Sequence, residues 1–86
     1  MITLEEALNS AKSFIAKMKG LDIELQGRAL IEYLDFDVVR KEDTPNHFSL
    51  FINFQNSIFG SGRSSFRVDV NKETGVVEDI EKISEE

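Results

Sequence analysis

Between His47 and Asn56 apolar and polar residues alternate: Phe48, Leu50, Ile52 and Phe54 fall at even positions, Ser49, Phe51, Asn53 and Gln55 at odd ones. Successive side chains of an extended chain point to opposite faces, so this spacing predicts a strand over 47–56 with four large apolar groups on one side. The other side is polar except for Phe51. An apolar face of that size must be covered, and the chain offers one element able to cover it.

That element is near the amino terminus. Thr3 and Glu6 form a T-x-x-E capping box, in which each side chain satisfies an orphan backbone donor of the other residue. Leu4, Ala7, Leu8, Ala11, Phe14, Ile15 and Met18 then recur at three- and four-residue intervals, which sets them on one face of a helix. Gly20 suits the left-handed conformation that ends helices, with Lys17 and Lys19 at the negative end of the dipole. A helix over 3–19 is predicted, and Phe14→Ala or Ile52→Ala is expected to remove much of the stability.

The remaining segments are read as strands. Leu21, Ile23 and Leu25 alternate, while Ile23, Gly27, Leu30, Ile31 and Leu34 fit a helical stripe. A short extended segment over 22–25 and a strand over 29–40 with a bulge near Tyr33 is one reading; a second helix is the other. Leu34, Phe36 and Val38 alternate with Asp35 and Asp37. Residues 41–46 hold the only proline and should turn the chain. Strands over 64–71 and 76–83 follow, joined by a turn at 71–75 whose Gly75 takes positive φ, and 84–86 should fray. The fold class is α+β: an N-terminal amphipathic helix on one face of an antiparallel meander of four strands, or five with 22–25, in one domain over 1–86.

Sixteen Asp and Glu against ten Lys and Arg give a formal charge of -6, and the basic residues are scattered. Such a field repels nucleic acid and anionic membranes, so neither is an expected partner. No apolar run approaches the ~20 residues that span a bilayer, and the early acids Glu5 and Glu6 are unlike a signal peptide, so cytoplasmic residence is expected. The absence of cysteine removes disulfides, thiolate nucleophiles and cysteine-ligated metals.

Candidate chemistry is sparse. His47 is the only histidine and lacks a G-x-S-x-G elbow to serve, so a turn-stabilising or exposed imidazole is expected. Gly60-Ser61-Gly62-Arg63 lacks the third glycine and following helix of a dinucleotide fingerprint, which leaves a connecting loop or a small anion nest with Arg63. The residues from Asp69 start like a calcium loop, but Thr74 stands where glycine is required and Ile80 where a bidentate glutamate is required. Asp35 and Asp37 share a strand face and form either a solvated surface or a cation site. No enzyme and no cofactor is predicted.

The segment 56–64 is longer than an ordinary hairpin loop, and its paired glycines predict unusual backbone angles. Ile58 and Phe59 within it either plug the end of the core or join Phe51 and Arg63 in a contact patch for a protein partner. Phe51, Ile58, Phe59 and Arg63 are therefore the candidate binding residues. A monomer or an edge-paired homodimer is compatible with a meander, which has two edges.

The helix with Glu5-Glu6-Ala7 and Ala11, followed by strands and by Val68-Asp69-Val70-Asn71-Lys72-Glu73-Thr74-Gly75-Val76-Val77, resembles a PepSY-type domain over about 60 residues, with 20–33 unmatched. The resemblance implies a non-enzymatic module that binds or restrains a peptidase. PepSY-like domains usually lie outside the cytoplasm or on membrane proteins. Small immunity proteins of toxin systems share the helix-plus-meander plan, which gives the alternatives: an acidic immunity or antitoxin-like protein neutralising a basic enzyme, or a small ligand- or cation-binding domain.

Overall fold

The computed structural model describes residues 1–57 and 59–84, and the backbone alone of Glu85. Helix α1 (Leu4–Lys19) is followed by the two-residue strands β1 (Glu24–Leu25) and β2 (Arg28–Ala29) and a 3-10 turn at Leu30–Tyr33. Strands β3 (Phe36–Asp43), β4 (His47–Gln55), β5 (Arg63–Asn71) and β6 (Val77–Glu85) then form an antiparallel sheet in sequence order. The α+β architecture is as expected: one helix packed on a four-stranded meander.

Both ends of α1 form as the sequence dictates. Glu6 N–H donates to Thr3 Oγ1 at 3.1 Å and Thr3 N–H donates to Glu6 Oε1 at 3.0 Å, closing the capping box. Gly20 takes φ +70°, and Leu21 N–H returns to the Ala16 carbonyl at 2.7 Å, the six-to-one closure of a Schellman motif. The amino terminus is tied in as well, by Ile2 N–H donating to the Lys72 carbonyl at 2.7 Å.

The helix stripe is narrower than predicted. Ala7, Ala11, Ile15 and Ala16 are buried, whereas Phe14 is 39% exposed and Met18 is exposed. Three alanines at the contact let the helix lie close on the sheet, and the bulky Phe14 is left on its flank. There it lines an open groove of about 430 Å³ with Ser13, Lys17 and Val77. The expectation that Phe14 anchors the core is thereby corrected. Ile52 does so: with Leu50, Phe54, Val68 and Val70 it is fully buried beneath α1. Phe36, Phe54 and Phe66 run across three adjacent strands with ring centroids 6.1 and 5.7 Å apart.

The strand predicted over 29–40 is two structures. Gln26 and Gly27, with φ +54° and +84°, make the tight turn of the β1–β2 hairpin, since a two-residue hairpin loop favours positive φ at both central positions. Residues 30–33 then coil, burying Ile31 and Leu34 against the core. The expected bulge lies between Val38 and Arg40 rather than near Tyr33. Because β3 continues to Asp43, the predicted 41–46 turn shrinks to Thr44–Asn46, where Thr44 Oγ1 accepts from His47 N–H at 3.0 Å. Residues 84 and 85 do not fray; Ser64 pairs with Glu85. Gly75 has φ +73° as predicted, and Asn71 Oδ1 accepts from Glu73 and Thr74 N–H, so 71–75 is a hairpin turn.

Candidate functional site

Among the described residues no element covers the face of the sheet turned away from α1, and the register places its side chains. β4 and β5 pair without a break from His47↔Asn71 to Gln55↔Arg63, so Phe51 stands opposite Arg67, Ser49 opposite Asp69 and Asn53 opposite Ser65. β6 adds Asp79 opposite Asp69 and Glu81 opposite Arg67. On the far side β3 supplies Asp37 opposite Asn53, then Arg40 opposite Phe51 and Glu42 opposite Ser49. The bulge produces this last arrangement: strict alternation from Val38 would present Val39 here, and the extra residue turns Arg40 onto the face instead.

Three arginines are held among carboxylates across this surface. Arg63 reaches Asp37 at 3.0 Å and Asp35 at 3.4 Å and donates to the Asn53 side-chain oxygen. Arg67 meets Asp79 at 3.0 Å and Glu81 at 3.6 Å, with Asp69 beside it on its own strand. Arg67 donates to Asp79 and Asp69, and these bonds, Asp79's first, push its pKa above the ordinary value. Arg40 bonds Glu42 at 2.8 Å and lies over the Phe51 ring, 5.1 Å from its centroid. Six carboxylates, Asp35, Asp37, Glu42, Asp69, Asp79 and Glu81, thus surround three guanidiniums and one aromatic ring. At one corner His47 Nε2 and Glu78 Oε1 are 2.6 Å apart.

The predicted contact residues separate in this frame. Phe51 is half-buried at the centre of the face, and Arg63 lies on the same face toward its loop end with a side chain 28% exposed. Phe59 is 92% exposed in the loop. Ile58 and Glu86 lie outside the described residues. Gln55 ties the loop to the face by donating to the carbonyls of Ser57 at 2.8 Å and Gly60 at 3.2 Å. Among the described residues the glycines with positive φ are Gly20, Gly27 and Gly75.

The cation that Asp35 and Asp37 meet is the guanidinium of Arg63. Among the described residues no three His, Asp or Glu side chains gather as a metal site, and no helix is long and apolar enough to cross a membrane. Arg40, Glu42, Arg67, Asp79 and Glu81 were missed by the sequence reading. Arg67 shares the parity of Phe51 across a regular strand pair and could have been found. Arg40 could not, because its face depends on the bulge.

Comparison of the chain with protein-family models, with curated proteins and with solved structures finds no match.

Proposed function

We propose that this protein is a non-enzymatic binding module that docks a basic protein surface on the open face of its sheet and the adjoining 56–62 loop. The observation that carries this reading is the charge of the face: six carboxylates against three arginines around Phe51, with the exposed Phe59 in the loop that follows β4. Aromatic and arginine side chains dominate interface energetics, and an excess of one sign steers a partner of the other. The resemblance to PepSY-type domains supports a restraining role toward an enzyme such as a peptidase. The acidity of the face favours the second reading as well, an immunity-like protein that neutralises a basic enzyme.

The test is affinity capture from the native source with three baits. These are the intact chain, a Phe51→Ala/Asp79→Asn/Glu81→Gln variant shown to fold, and a Phe14→Ala/Lys17→Gln variant altered beside α1. A basic partner, retained by the first and third baits, lost by the second and released by salt, is the expected result. A partner lost by the α1-side variant and kept by the open-face variant contradicts it.

A further inference from the structure

Of the three arginines on the open face, Arg67 meets three carboxylates and Arg63 two, with side chains only 24% and 28% exposed. Arg40 differs. Its side chain is 64% exposed and among the described residues its one carboxylate partner is Glu42, while its guanidinium carbon lies over the Phe51 ring, 5.1 Å from the centroid. It occupies the place where an incoming cation would find both an aromatic ring and an acid, and it stands there because the bulge turned it outward.

Resting on the reading that this face docks a basic surface, we infer that Arg40 is a built-in occupant of the central cation site formed by Phe51 and Glu42. A partner's arginine takes its place on binding. The ligand chemistry is a guanidinium and not an ammonium. A planar, weakly hydrated guanidinium stacks on the Phe51 face while forking onto the Glu42 carboxylate, whereas a compact, strongly hydrated lysine ammonium gives up more solvation to do so. Exchange of one arginine for another keeps Phe51 covered and Glu42 paired in both states, so the free protein exposes neither a bare ring nor an unpaired acid at its centre. Arg40 therefore weakens binding by competition and favours partners that present arginine.

The probes are hexa-arginine and hexa-lysine peptides, titrated into the labelled protein with amide shifts as the readout. Arg40→Gln is compared with Lys41→Gln, which removes the same charge one residue along on the opposite side of β3. Arg40→Gln is expected to tighten hexa-arginine binding about threefold beyond the effect of Lys41→Gln, the scale of one exposed cation–π contact. Hexa-lysine should gain equally from both variants. Phe51→Leu should erase the preference for hexa-arginine, and should that variant fail to fold, the comparison of Arg40→Gln with Lys41→Gln still decides. If both variants change hexa-arginine binding alike, the exchange is overturned while the basic-partner reading stands. Should neither peptide move the amides of 49–53, 65–69 and 79–81, the docking reading falls with it.

Discussion

Ile52 and Phe14 show how differently two large apolar side chains can weigh in the same small core. Ile52 is sealed beneath the helix, and truncation there leaves a cavity the neighbours cannot fill. Ile52→Ala should cost about 3–5 kcal/mol, and Phe14→Ala less than about 2 kcal/mol because its ring keeps water on one side. Urea denaturation of the two variants measures the gap. Glu6 gives a pH test. Its bonds to Thr3, the backbone N–H first and the side chain next, hold its pKa below the ordinary 4.5. A carboxyl depressed in the folded state stabilises above its unfolded pKa and loses that contribution as pH falls through the folded value. The first turn of α1 should therefore open progressively below pH 4.5, seen as faster amide exchange at residues 5–8 after correction for intrinsic rates. In Glu6→Gln, which keeps the acceptor oxygen but cannot ionise, that dependence should vanish.

At the scale of elements, α1, β4, β5 and the last hairpin were legible because local pattern and tertiary packing agree there: the capping box, the unbroken alternation at 47–56 and the Asn71–Gly75 turn each state one answer. The 21–40 stretch was not. Leu21, Ile31 and Leu34 are all buried, but through a short hairpin and a 3-10 turn whose spacing matches neither a period of two nor one of 3.6. Of the contact patch, Phe51 could be placed from parity, while the company it keeps could not, since a single bulge residue decides which face Arg40 takes. Val39, that extra residue, is exposed and adds little to the core. Its deletion should keep Arg40 opposite Phe51 while straightening the β3 edge. Bulges blunt edges against pairing, so the shortened chain should self-associate more strongly than the intact one in sedimentation velocity. Gly20→Ala has open space for its Cβ, so its cost should be the left-handed strain alone, about 1–2 kcal/mol in denaturation.

For the whole molecule the division of labour is between two sheet faces. One is spent on folding, with α1, Leu21 and the 3-10 turn closing over a single cluster of buried side chains. The other carries a layer of acids, three arginines and Phe51 that the core does not need. Individual exposed ion pairs contribute about 0–1 kcal/mol, so this layer stabilises the fold weakly while setting a strong sign of charge at its surface. Both sheet edges carry bulges, at Val38/Arg40 on β3 and at two places along β6, which blunt them against pairing. Binding of a basic partner should weaken steeply with ionic strength, and affinities measured across a salt series should show it. The most direct test is the amide-exchange footprint of the chain with its captured partner bound. Protection is expected over 49–53, 65–69, 79–81 and the 59–62 loop, with the outer face of α1 unchanged; protection confined to α1 and its flanking groove would contradict docking on the open face.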